Sequence, residues 1–439
     1  MLRKFSLSII CVCCFLFLGV PVMADQTTEK LQERIDKLEG ELKLLLKGQE
    51  RAREEDKARV KSIEGKVEKV EKKAEEAANR VLSGFRFKPY GYIKLDAVYD
   101  DSRTNYGNFI LYVPDESKND NNNEFNMTAR QTRIGLDILA PGSSDWEAKG
   151  RIEIDFYGDG TAKHENKAEP LLRHAFLEVK KGRFSLLAGQ TFDLISPLVP
   201  DVLNYTVGWA GGNIGYRRPQ LRATNIYPLG ESSKLSMALA IARTTGIGDF
   251  MGENVGENVG FPTVQGRLAL TNKLLTKKDT VFGISGHYGE EEYQERIKSW
   301  SLNGDFDIPL SDRVSVKGEV FVGYNLDDYF GGVFQGVNTT TQKAIRAMGG
   351  WMQACYQHSK KWKYNIGLGI DDPRNEDLAY NPDPTKNMRD RNSFYYGNVM
   401  FNLIPPVNIG LEYSYWETGY LNQSSGTDNR IQTSIIYNW

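Results

Sequence analysis

The residues able to do chemistry in this chain are a few histidines, one late cysteine and many basic side chains. His164, His174, His287 and His358 are the only four histidines, and two of them fall in predicted connections. None stands with a serine or cysteine in the nucleophile–base pattern that hydrolysis needs, so no enzymatic activity is expected. No Cys/His spacing matches a metal site, and neither a metal nor another cofactor is expected. Cys355 reads as a small wall residue. The basic residues are placed differently. Lys94, Arg133, Lys149, Arg151 and Arg267 alternate with apolar neighbours, while Arg217, Arg218 and Arg222 close a long apolar connection. Charges so placed could draw anions along a wet passage. They could equally pair with Glu147, Glu153, Asp155 or Glu178 and brace its wall.

The elements that must hold these charges are extended strands. Trp146, Ala148, Gly150, Ile152, Ile154 and Phe156 alternate with Glu147, Lys149, Arg151, Glu153, Asp155 and Tyr157. A period of two puts one set on each face. The same alternation returns in Gly91–Tyr99, Ile134–Ile138, Ala175–Val179, Phe184–Ala188, Leu235–Ile241, Val264–Leu270, Lys298–Ile308, Val314–Tyr324 and Trp362–Ile370. Strands at Tyr395–Leu403, Val407–Tyr415 and Ile431–Trp439 end the chain.

Two other segments precede the strands. Arg3 and Lys4, the apolar run Leu7–Val20 and Val22-Met23-Ala24 have the three parts of a secretory signal, residues 1–24. Cys11, Cys13 and Cys14 would leave with it, so no internal disulfide is expected. Residues 25–81 lack proline and balance acidic with basic residues. Leu31, Ile35, Leu38, Leu42 and Leu45, then Val60, Ile63, Val67, Val70, Ala74, Ala77 and Val81, form a coiled-coil seam with a stutter between the runs. Its strand number is not set by these residues.

Connections sort by length. Short turns include Pro141–Asp145, Pro309–Arg313, His358–Lys361 and Pro405-Pro406. Long polar loops are expected at Asp101–Glu124, Gly158–Pro170, Thr244–Gly260, Asn325–Lys343, Asp371–Asn392 and Glu417–Asn429. Aromatics recur at strand ends, as in Trp146 with Phe156, Trp362 with Tyr364, and Tyr413 with Tyr415. Sorted loops and aromatic girdles are the marks of an outer-membrane barrel. Residues 85–439, at about 22 residues per strand and connection, make about 16 strands. The expected fold is therefore an all-β transmembrane barrel of antiparallel strands after an N-terminal α-helical coiled coil. The mean hydropathy of −0.47 does not oppose this, because only alternate residues face lipid. A net charge of −2 gives no hint of nucleic-acid binding.

Several short stretches in this order resemble the trimeric DcaP-like porins of bacterial outer membranes. They are Tyr90–Asp96, Ala129–Gly135, Arg173–Glu178, Ala188–Thr191, Gly350–Gln353 and the terminal Ile435–Trp439, where Trp stands in place of the final Phe typical of barrel proteins. The resemblance implies a homotrimer in the outer membrane, a loop folded into the lumen as a constriction, and uptake of small organic anions such as dicarboxylates. It also implies a coiled-coil-like segment, here in the periplasm. The stretch from Thr191 to Tyr216 is too apolar to wave in solvent, which supports an inward loop within 190–222. By parity Arg130 and Thr132 fall outward beside Ile134, at the lipid interface or against a neighbouring subunit. The competing functional reading is a structural tether, with the coiled coil touching the cell wall.

Overall fold

The computed structural model describes residues 25–81, 84–119, 122–141, 145–158, 165–244, 257–292, 295–338, 340–378 and 388–439. The proposed signal, 1–24, lies outside the described residues, as do His164 and the middle of the loop expected at 244–260. The chain divides into two units, Met1–Ser83 and Gly84–Trp439. The first contains one helix, α1, Asp25–Val81. Its seam side chains Ile35, Leu38, Leu42, Leu45, Val60, Ile63, Val67 and Val70 are all exposed in the single chain. Among the described residues no helix is long and apolar enough to cross a membrane.

The second unit is built from strands. They are β1 Arg86–Asp100, β2 Glu124–Thr128, β3 Arg133–Leu139, β4 Glu147–Asp155, β5 Leu171–Lys181, β6 Phe184–Phe192, β7 Arg217–Pro228, β8 Lys234–Ala242 and β9 Thr263–Asn272. Then come β10 Thr280–Glu292, β11 Arg296–Pro309, β12 Val314–Tyr324 and a small hairpin, β13 Val337–Asn338 with β14 Lys343–Ala344. The series ends with β15 Arg346–Gln357, β16 Trp362–Pro373, β17 Arg389–Ile404, β18 Val407–Tyr420 and β19 Gln423–Asn438. Apart from the small hairpin, each strand pairs antiparallel with its sequence neighbour, and β1 pairs with β19. β2 and β3 both pair with β1 and count as one interrupted strand. The result is the expected closed antiparallel barrel of 16 strands. Closure leaves no edge with unpaired backbone groups, which is the condition for crossing a bilayer with strands.

The sorting of side chains is inverted relative to a soluble protein. Gln265, Glu319, Gln353 and Gln432 inside the barrel are 0%, 1%, 1% and 2% exposed. Ile366, Val320 and Leu239 on the outside are 67%, 59% and 59% exposed. An apolar outside around a polar inside is stable only where the outside meets lipid.

Two expectations need correction. Glu417–Asn429 is not a long loop: β18 and β19 continue through it and turn at Leu421 and Asn422. Its Gly, Ser and Thr content imitates a loop, but the ladder runs on between β18 and β19 as far as Tyr420 and Gln423. Arg130 does not face outward. The interruption between β2 and β3, closed by Thr132 N donating to Ala129 O at 3.0 Å, breaks the alternation. Arg130 is buried, donates from Nε to Phe156 O at 3.0 Å, and stacks on the Tyr157 ring at 4.6 Å.

Candidate functional site

The connection between β6 and β7, residues 193–216, lies inside the barrel. Its two ends meet where Asp193 N donates to Tyr216 O at 2.9 Å. From there its backbone amides find side-chain acceptors on one strand after another. Leu194 N donates to Gln265 Oε1 on β9 at 2.8 Å, and Leu198 N to Glu319 Oε1 on β12 at 2.7 Å. Asp201 N donates to Gln353 Oε1 on β15 at 2.6 Å, and Leu203 N to Glu412 Oε2 on β18 at 2.8 Å. Lys94 on β1 and Gln432 on β19 donate to Leu203 O at 2.8 and 3.0 Å. A buried amide left unpaired costs about 1–3 kcal/mol, so these inward polar side chains are what allow an irregular segment to sit there.

Further along, the segment needs bare wall. Gly212 has φ +115°, and a Cβ on it would run into the carbonyl oxygens of Gly350 and Ile370. A Cβ on Gly369 would in turn run into the carbonyl oxygen of Gly211. The motif Gly350–Gln353 serves the segment through its two inward side chains. Gln353 accepts from Asp201 N, and Trp351 Nε1 donates to Glu319 Oε2 at 3.0 Å, orienting the carboxylate that holds Leu198.

The basic residues divide into fasteners and wall. Lys94 is buried, with Nζ 3.1 Å from Asp96 Oδ1 and 2.6 Å from Gln131 Oε1. Arg218 is buried, pairs through Nε with Asp193 Oδ1 at 2.8 Å and lies over the Tyr329 ring at 4.0 Å. Stripping a partner from such a buried charge costs about 3–5 kcal/mol, so both act as fasteners of the segment. Arg267 pairs with Asp305 at 2.5 Å on the wall behind. In the segment itself, burial pushes the Asp201 carboxyl up, but the ammonium groups of Lys317 (3.1 Å) and Lys363 (2.8 Å) outweigh it and hold it below the ordinary range.

A cluster on β3, β4, β5 and β7 remains. Arg151 holds Asp137 with two bonds of 2.7 and 2.9 Å. Arg133 stands 3.5 Å from Glu153 and 3.9 Å from Asp155. Arg173 reaches the same carboxylates at 2.8 and 2.7 Å. Arg217 sits over the rings of Tyr216 (4.4 Å) and Phe192 (5.5 Å), with Nε and Nη2 buried and meeting no hydrogen-bond partner among the described residues. Arg222 donates to Gln220 Oε1 at 2.9 Å and to Phe192 O, and meets no carboxylate at ion-pair distance among the described residues. Lys149 pairs with Glu178 at 2.8 Å on a half-exposed part of the wall, where a pair is worth at most about 1 kcal/mol. Most of the basic residues brace, yet Arg133, Arg151, Arg173, Arg217 and Arg222 outnumber Asp137, Glu153 and Asp155.

Arg173 is the residue that alternation misses. Glu153 opposes His174 and Ile154 opposes Leu172, so Arg173 is the extra residue of a β-bulge. Both Arg173 and His174 are therefore buried inside, and His174 Nδ1 lies 3.0 Å from Thr191 Oγ1. The signal was a polar pair breaking a period of two. The anchors Gln265, Glu319 and Glu412 carried no such signal, since any inward polar residue looks alike in sequence.

A family model described as DcaP outer membrane protein matches residues 23–281, more than half of the chain. No curated protein sequence matches it. The chain is similar to the crystal structure of the outer membrane channel DcaP of Acinetobacter baumannii, with 18% identity over 81% of this chain and 98% of that one, and a TM-score of 0.64. It is also similar to an anion-selective porin from Comamonas acidovorans, at 10% identity over 81% and 100% of the two chains and a TM-score of 0.54. The likeness to Salmonella typhi OmpF in complex with daunomycin is 13% identity over 81% and 98%, with a TM-score of 0.51. At these identities the solved structures share a fold with the chain.

Proposed function

This chain belongs to the DcaP outer membrane protein family and is an outer-membrane channel rather than an enzyme; from that premise we propose that it takes up small organic anions, dicarboxylates among them. The aperture is formed by the inward segment 193–216 as a constriction, with Arg133, Arg151, Arg173, Arg217 and Arg222 beside it. The observation that carries this reading is the excess of guanidinium groups beside the segment, Arg133, Arg151, Arg173, Arg217 and Arg222 against Asp137, Glu153 and Asp155. Fixed positive charges in excess of their counter-charges draw an anion through their field without having to touch it. In planar bilayers under a potassium chloride gradient, the reversal potential is expected to show chloride preferred over potassium. A cation-selective channel would refute the reading.

The same reading makes the functional unit a homotrimer in outer-membrane lipid, with α1 of each copy in a periplasmic coiled coil. Its support is the exposed stripe from Ile35 to Val70, which a lone helix leaves in water. With Leu42→Cys in the full-length protein, oxidation is expected to give covalently linked copies on denaturing gels. Monomers alone, with the cysteine freely alkylated, would rule the coiled coil out.

A further inference from the structure

We propose that a second inward loop, Leu326–Phe334, sets the width of the aperture, with Phe330 as the positioning residue for the returning leg of segment 193–216. This rests on the reading of that segment as the constriction. The middle of the segment is tied to the wall by Glu319, Gln353 and Glu412. The leg that returns toward Arg217 leans on the second loop. Trp209 and Phe330 stack at 4.6 Å with 9° between their planes, and Tyr216 meets the same ring at 5.1 Å. Ala210 N donates to Phe330 O at 2.9 Å, and Gly215 N donates to Tyr329 O at 2.8 Å. Ile195 and Ile214 share a buried cluster with Leu326 and Tyr329, so the outgoing leg is held as well.

The backbone agrees. Phe330, Val333 and Phe334 in the second loop have φ of 61°, 48° and 58°, and Val207 and Ala210 in the first have 48° and 59°. A left-handed valine is an outlier by sterics. Such conformations persist where the surroundings over-determine them, and here each loop is part of the other's surroundings. Because Tyr216 covers Arg217 and Phe330 backs Tyr216, Phe330 acts on the passing solute through the position of Tyr216 without touching it. The order β12, loop, β15 brings this about. Asn325 N donates to Ile345 O at 2.9 Å and closes the loop at its base, leaving its tip to reach inward.

The test compares single-channel currents of the full-length protein carrying Phe330→Ala, Phe330→Trp or Gly331→Ala, together with a variant whose residues 204–212 are replaced by a short glycine linker. Phe330→Ala is expected to raise conductance by roughly half or more and to add brief substates, because the narrowest section sets the current. Phe330→Trp restores the stack and the parent conductance. A Cβ on Gly331 would meet Leu326 Cβ at 2.8 Å and Ile214 Cγ2 at 3.1 Å, so Gly331→Ala loosens the same contact and decides the matter if Phe330→Ala does not assemble. If the linker variant opens the pore while Phe330→Ala and Gly331→Ala conduct like the parent, the second loop does not position the aperture and this inference is overturned. If the linker variant also conducts like the parent, the constriction reading has failed and this inference with it.

Discussion

Gly212→Val is expected to raise single-channel conductance roughly twofold or more, since the narrowest cross-section governs flow. The substituted side chain meets two obstacles at once. At φ +115° any Cβ is strained, by about 1–3 kcal/mol. The Cβ would also run into the carbonyl oxygens of Gly350 and Ile370, which belong to paired strands of the closed barrel. Something must yield. The segment is held by side-chain hydrogen bonds worth about 1 kcal/mol each, whereas β15 and β16 are held along their whole length by ladder partners on both sides. The segment leaves the wall and the barrel stays. The variant should therefore keep the parent's heat stability on gels while its pore widens. A parent-like conductance in a correctly inserted variant would mean that 193–216 does not limit the pore.

The paired substitution Arg217→Gln and Arg222→Gln is expected to bring anion preference close to unity. Without them, Arg133, Arg151 and Arg173 are matched one for one by Asp137, Glu153 and Asp155. Each unmatched charge contributes about 1 kcal/mol to a solute ion several ångströms away once water and salt screen it, or about fivefold in relative permeability. Asp137→Asn changes the balance in the opposite sense, freeing Arg151, and should increase the preference for chloride. Reversal potentials in the same salt gradient measure all three proteins. If the double variant remains as anion-selective as the parent, the selectivity arises elsewhere in the lumen. Arg218→Gln is a useful contrast. Its guanidinium is spent on Asp193 at 2.8 Å, so its loss should disturb the docking of the segment before it alters selectivity.

Much of this molecule was written locally. Trp146–Tyr157 alternates so strictly that its faces could be assigned by counting, and β4 carries that alternation, with Ile152 exposed outside and Glu153 and Asp155 buried inside. Counting failed where the backbone left the ladder. At the interruption after β2 it sent Arg130 outward, and at the bulge in β5 it overlooked Arg173. At 417–429 the composition suggested a loop, and cross-strand pairing decided for a hairpin. In each case the deciding fact was the register of a neighbouring strand, which no single stretch contains.

By itself the sequence determined the barrel wall, because a period of two is a property of consecutive residues and lipid rewards it one strand at a time. It also marked 191–216 as too apolar for solvent. Only the tertiary structure decided which basic residues are tied to the inward segment. Lys94 and Arg218 turned out to be fasteners because Leu203 and Asp193 lie beside them, residues brought there by the path of the inward segment. Arg217, at the end of that same path, meets no carboxylate at ion-pair distance among the described residues. Whether an arginine braces or beckons depends on what lies within a few ångströms of it, and in a barrel those neighbours come from strands far apart in the chain.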